Sequence, residues 1–236
     1  MEGITMNYAK WFIILSIAYS QCDYNDDGTL NILDIVEQVD CILNDCWGTE
    51  YEDGPDYEDY ATVLINDKLW MAENLRTTHF SNGDPIPYLA WDDGWTYNYE
   101  PAYANYDEDP SNAELYGKLY NQFAVNDERG LCPVDWHVAS QNEYIELAEY
   151  LGGEWIAGYR MKDDVTWDGD NQVNFNGLAG GCRDSGPANG DCCIEGLGHF
   201  WTSDNMIYAE LESNKDELRY KSNDKRAGKS VRCVAD

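Results

Sequence analysis

The segment Leu131-Cys132-Pro133-Val134-Asp135-Trp136-His137-Val138-Ala139-Ser140, read together with Ser230-Val231-Arg232-Cys233-Val234, constrains the fold of this chain most. Cys132 opens a stretch that leads straight into a helix, and Cys233 sits in a short apolar run with the character of a closing strand. A bridge between them would close a loop of roughly a hundred residues, which the chain-entropy argument values at about 4 to 5 kcal/mol. The two segments therefore form one unit in which the ends of a domain are held together. Ser140-Gln141-Asn142-Glu143 reads as a capping box, the hydroxyl placed for the Glu143 amide and the carboxylate reaching back. Ile145, Ala148 and Leu151 recur at helical spacing, and Gly152-Gly153 supplies a stop, so a helix is expected from Ser140 to Leu151.

Six ordered blocks then carry a resemblance. They are Leu69-Trp70-Met71-Ala72-Glu73-Asn74-Leu75, Tyr116-Gly117-Lys118-Leu119-Tyr120-Asn121, Cys132 to Val138, Gly180-Gly181-Cys182-Arg183, Phe200-Trp201-Thr202-Ser203, and Ser230 to Val234. Together they resemble the Fibrobacter succinogenes major paralogous domain family over residues 58–236. The resemblance implies an α+β, C-type-lectin-like domain with short antiparallel strands, one or two helices and irregular loops. It also implies a disulfide from the region of the first helix to the last strand, here Cys132 to Cys233. The chain departs from the family pattern at Val134-Asp135, at Ala139 and at Cys182, where Ser-Gly, Pro and an aromatic are usual.

The other cysteines and the first residues indicate the compartment. Lys10 precedes the apolar run Trp11 to Tyr19, and small residues follow around Ser20, the layout of a secretory leader over residues 1–21. The run is too short to span a bilayer, so no membrane insertion is expected. Gln21 before Cys22 makes a poor lipidation site because that position needs a small residue. Eight cysteines suit an oxidising compartment. Cys182 and the vicinal Cys192-Cys193 bracket a turn, and because neighbouring cysteines bond to each other only with strain, Cys182 is expected to take one of them.

Residues 22–47 read as a small EF-hand-like loop and helix. Asp23, Asn25 and Asp27 stand at loop positions 1, 3 and 5, Gly28 at 6, Thr29 offers its carbonyl at 7, Asn31 stands at 9 and Asp34 at 12. Calcium is the expected cofactor. An aspartate in place of glutamate at position 12 is similar to dockerin loops, although the second repeat of a dockerin is missing. Ile32, Ile35, Val36, Val39, Ile42 and Leu43 then form one helical stripe. Residues 48–57 read as an acidic linker, leaving 58–236 as the main domain. Within it, Ala61 to Met71 reads as a hairpin about Asn66-Asp67, residues 77–111 as a long aromatic-rich insertion loop, and Trp155 to Trp167 as irregular. Phe200 to Tyr208, Glu210 to Tyr220 and Ser230 to Val234 read as antiparallel strands.

Function is constrained first by charge. The chain has 45 acidic against 15 basic residues, a net charge of -30. Nucleic acid and anionic lipid are bound chiefly through basic side chains that displace counterions, so neither is an expected partner. Enzymatic motifs are missing: there is no Gly-x-Ser-x-Gly, phosphate loop, dinucleotide fingerprint or His-Glu-x-x-His. His137 reads as structural, and His79 and His199 as loop residues. Cys192-Cys193 alone suggests a relative of the formylglycine-generating oxidases, against which a nearby Cys182 favours disulfides. A non-enzymatic binding role fits better. Nine tryptophans and eighteen tyrosines exceed the needs of the core, and exposed aromatic faces suit a glycan or an extracellular protein partner. The candidate ligand face is Trp91, Trp95, Tyr97 and Tyr99. The rival expectation is a structural component of an extracellular assembly, attached through the calcium loop.

Overall fold

Asn66 and Asp67 both adopt left-handed backbone (φ 48° and 62°), the two-residue turn whose twist matches a hairpin. It joins β1 (Thr62–Ile65) to β2 (Lys68–Met71), with Thr62 opposite Met71 and Ile65 opposite Lys68. The computed structural model describes residues 60–91, 94–186, 191–192 and 196–236, the side chain of Cys192 excepted. The expected leader, the calcium loop with Asp23, Asn25, Asp27, Thr29, Asn31 and Asp34, and the linker lie outside the described residues.

In chain order there follow β3 (Tyr103–Ala104), α1 (Pro110–Tyr116), β4 (Leu119–Tyr120), α2 (Gln122–Val125), β5 (Trp136–Val138), α3 (Gln141–Tyr150) and α4 (Glu154–Met161). After these come β6 (Cys182–Arg183), β7 (Asp191–Cys192), β8 (Leu197–Trp201), β9 (Ile207–Glu212), β10 (Arg219–Ser222), β11 (Ser230–Val231) and β12 (Cys233–Ala235). One sheet runs β1-β2-β12-β5 and the other β10-β9-β8-β11, with two-stranded pairs β3-β4 and β6-β7. The result is a mixed α+β domain of mostly antiparallel strands. In the first sheet Val234 faces Trp70 on one side and His137 on the other, so the first hairpin and the last strand share hydrogen bonds. Cys132 and Cys233 are bridged across this closure, Cα to Cα 6.0 Å and 101 residues apart. Among the described residues no helix is long and apolar enough to cross a membrane.

α3 begins where its capping box places it. Ser140 Oγ accepts from the Glu143 amide and the Glu143 carboxylate accepts from the Ser140 amide, satisfying two donors that a helix start leaves open. Its buried face supplies Tyr144, Leu147 and Ala148, with Leu151 following, to a core that also holds Trp70, Phe175 and Phe200. Trp70 meets Tyr144 and Phe175 edge to face at ring separations of 5.3 and 5.8 Å. A second core gathers Met71, Leu75, Tyr120, Trp201 and Val231 around the disulfide.

Three expectations need correction. Glu154–Met161 is a helix, not irregular chain. Gly158 within it is a point of close approach: a Cβ there would lie 2.4 Å from the Glu217 carbonyl oxygen. The closing run is also not one antiparallel strand. Ser230 and Val231 pair in parallel with Phe200 and Trp201, whereas Cys233 to Ala235 joins the other sheet. Arg232 stands at that transfer. Lastly, neither Phe200 to Tyr208 nor Glu210 to Tyr220 is one strand, since β8 ends at Trp201, β9 runs from Ile207 to Glu212 and β10 begins at Arg219.

Replacing both Cys132 and Cys233 by serine is expected to lower the unfolding free energy by about 4 to 5 kcal/mol, the value for closing a loop of this length. Urea unfolding of the double variant and the native protein, without reductant, measures it. A loss under about 1 kcal/mol would show that the sheet alone holds the ends together.

Candidate functional site

The long loop between Phe80 and Pro110 is organised from beneath by Arg183 on β6. Its side chain is 1% exposed. Nε and Nη2 form a fork to Asp191 at 2.7 and 3.0 Å, and Nη2 also reaches Glu108 Oε1 at 2.5 Å. Nη1 donates to the Leu89 carbonyl at 3.1 Å, and Nη2 also lies 3.2 Å from the Asn105 carbonyl oxygen. Burial works against its charge, yet Asp191 and Glu108 outweigh burial and hold the guanidinium more firmly protonated than usual. Glu108 additionally accepts from the Tyr88 hydroxyl and the Trp91 amide. Tyr88 is pushed up to about 12, first by burial and then by Glu108.

The aromatic residues expected to form a ligand face divide over this base. Trp95 is 1% exposed and packs with Ala102 and Ala104, its ring 5.2 Å from the Arg183 guanidinium. Trp91 is half-buried against the same cluster, 5.8 Å from that guanidinium. These two tryptophans anchor the loop, and Trp95 has no free face for a ligand. Tyr97 and Tyr99, in contrast, are 73% and 64% exposed. Tyr99 rests edge to face on Phe123 at 6.3 Å and beside the Arg226 guanidinium at 5.3 Å. Arg226 in turn donates to the Thr96 carbonyl at 2.7 Å and forks onto Asp224. The tyrosines therefore project from a loop fixed on both sides.

Cys182 is disulfide-bonded, and across the β6–β7 pair its backbone faces Cys192. His137 is held between Asp236 Oδ1 at 2.6 Å and Glu143 Oε1 at 3.0 Å. Burial disfavours its protonation, but the two carboxylates outweigh burial and raise its pKa. His199 is not a loop residue: it lies buried in β8 with Nε2 3.0 Å from Glu210. Pattern reading also missed Lys229, which is fully buried. Its Nζ has no hydrogen-bond partner among the described residues and lies 4.0 Å from the Tyr208 ring centroid and 5.1 Å from that of Trp201. Burial presses the amine down to about 7. Nothing in the local sequence distinguishes Lys229 or Arg183 from surface cations, because their surroundings come from residues distant in the chain.

The family model described as the Fibrobacter succinogenes major domain matches residues 63–235, well over half of the 236 residues. The chain belongs to the Fibrobacter succinogenes major domain family. Both Arg183 with its loop and the Cys132–Cys233 bridge fall within that family domain, whereas residues 22–47 precede it. No curated protein and no solved structure matches the chain.

The Lys229 amine gives the family domain a pH dependence of known sign. A folded-state pKa near 7, below the usual 10.5, opposes folding fully below pH 7, and the opposition fades as pH rises towards 10.5. Lys229→Met is expected to be more stable than the native protein at pH 6 by about 1 to 3 kcal/mol, with the gap closing by pH 10. Thermal unfolding at the two pH values measures this. A variant less stable at pH 6 would mean that the aromatic contacts outweigh the lost hydration.

Proposed function

We propose that the protein is a secreted or cell-surface, non-enzymatic binding protein whose family domain has a C-type-lectin-like fold and recognises neutral glycan through Tyr97 and Tyr99. One observation carries this reading: two tyrosines stand 73% and 64% exposed on a loop otherwise locked by buried Arg183, buried Trp95 and Arg226. Large exposed rings are ordinarily costly in water, and a rigid loop loses little further entropy on binding. Flat aromatic rings match the C–H faces of sugars. The net charge of -30 argues for uncharged rather than acidic polysaccharide.

The fold reading is supported by the first hairpin and last strand meeting in one sheet, and by a disulfide from the start of the helical region to that last strand. Ahead of the domain, Asp23, Asn25, Asp27, Thr29, Asn31 and Asp34 form the loop proposed to take calcium, on the spacing of their oxygens. That same loop supports the rival reading of an extracellular assembly component attached through it.

A binding screen of the full chain against insoluble and soluble neutral polysaccharides, in calcium and in chelator, tests the proposal. Tyr97→Ala and Tyr99→Ala are each expected to weaken binding about two- to tenfold, with unchanged circular dichroism. Absence of binding to every neutral polysaccharide, with and without calcium, would discard the glycan reading and leave the assembly reading.

A further inference from the structure

A groove of about 680 Å³ lies between residues 72–76, α1 with Gly117, and residues 163–178. That is within the size range of ligand sites, and its floor is firmly built. Asn74 is 3% exposed; its Oδ1 accepts from Arg232 Nε at 2.6 Å and its Nδ2 donates to the Tyr116 carbonyl at 2.7 Å. Gly117 (φ 75°) permits this closeness, since a Cβ there would stand 2.5 Å from Asn74 Cβ. Opposite, Asp163 Oδ1 fixes its own loop by accepting from the Val165 amide, the Thr166 amide and the Thr166 hydroxyl at 3.0, 2.6 and 2.7 Å.

The lining has two kinds of surface. Leu115 and Val165 bring exposed aliphatic side chains, 54% and 84% exposed, and among the described residues no aromatic side chain lines the groove. Around them, residues 106–117 carry Asp107, Glu108, Asp109 and Glu114, and residues 163–178 carry Asp163, Asp164, Asp168 and Asp170. Lys118, which follows the first stretch, donates Nζ to the Arg76 carbonyl and lies over the Tyr103 ring. Glu108 is taken up by Arg183 and Asp168 by Lys162. Arg76 is the cation in the lining, and Glu73 holds it at 2.5 Å. The charge of Arg232, under the floor, is enclosed by backbone carbonyls and Asn74. Glu114 and Asp163 line the groove, and neither has an ion pair among the described residues. Among the described residues no three His, Cys, Asp or Glu side chains converge to hold a metal ion.

We propose that this groove binds a basic peptide segment, a lysine or arginine flanked by an aliphatic residue, from a protein partner. The carboxylates would meet the cationic head, and Leu115 and Val165 would cover the aliphatic neighbour and the methylene stem. This site is separate from Tyr97 and Tyr99, so either proposal can fail without the other.

The test is fluorescence anisotropy of a labelled peptide of alternating leucine and lysine with the full chain, at about 0.15 M salt where diffuse surface attraction is screened. Glu114→Lys is expected to weaken binding at least about tenfold. Glu149→Lys, the same charge change on the exposed face of α3, should weaken it less than about twofold. The double variant Leu115→Ser, Val165→Ser should remain folded, both side chains being exposed, and should bind about fivefold more weakly. Equal weakening by the two charge reversals would overturn the proposal in favour of diffuse attraction to an acidic surface. Undiminished binding by the double serine variant would overturn it in favour of a site for small cations.

Discussion

Arg232 is the interaction on which the domain depends. Its guanidinium is fully buried, and among the described residues none of its hydrogen bonds goes to a carboxylate. It donates to Asn74 Oδ1, the carbonyls of Met71 and Phe175, and that of Asn176, at 2.6 to 2.9 Å, and lies 4.4 Å over the Phe175 ring. Burial lowers its pKa to about 10, which still leaves it charged at neutral pH. A buried cation is tolerable only when its donors are met, so the end of β2, the turn after it and the loop at 175–176 must all converge on it. The residue also stands where the chain leaves β11 in one sheet and enters β12 in the other. One side chain thereby fixes the relation between the two sheets, the core face of Phe175, and Asn74 in the floor of the groove.

Arg183 applies the same physics with different partners. Two carboxylates now offset its desolvation, and they come from the loop and from β7. The loop residues thus share one buried charge that none can leave without stranding it. This ties Leu89, Asn105 and Glu108 together where helix and sheet hydrogen bonds are few. It also explains the division among the aromatic residues: Trp91 and Trp95 lie nearest the guanidinium and turn inward, while Tyr97 and Tyr99, beyond the reach of Arg183, remain outside.

Features decided within a few residues were legible in the sequence. The capping box at Ser140 and the turn at Asn66-Asp67 depend on local hydrogen bonds and backbone preference, and both formed where expected. The cysteine pair was legible through the family pattern. What depended on distant partners was not. Gly158 signals a break by composition, yet it serves α4 because the Glu217 backbone lies against it. The parallel pairing of β11 leaves no trace in a two-residue strand. In the aromatic loop, composition showed that large rings were abundant, but burial was decided by Arg183, almost a hundred residues from Leu89. The groove was illegible for the same reason, since its three walls come from segments far apart in the chain.

These uses of charge bear on the acidity of the whole protein. With only 15 basic residues, the chain places Lys162, Arg183, Lys229 and Arg232 among its largest fully buried side chains. Lys162 donates to Asp168 and to the carbonyls of Glu212 and Lys215, closing its own loop against β9. Lys162, Arg183 and Arg232 thus serve as internal struts, whereas Lys229 is buried without a hydrogen bond among the described residues, and none of the four is left to offset the surface carboxylates. An excess of surface carboxylates repels polyanions and other carriers of like charge, an effect that salt screens.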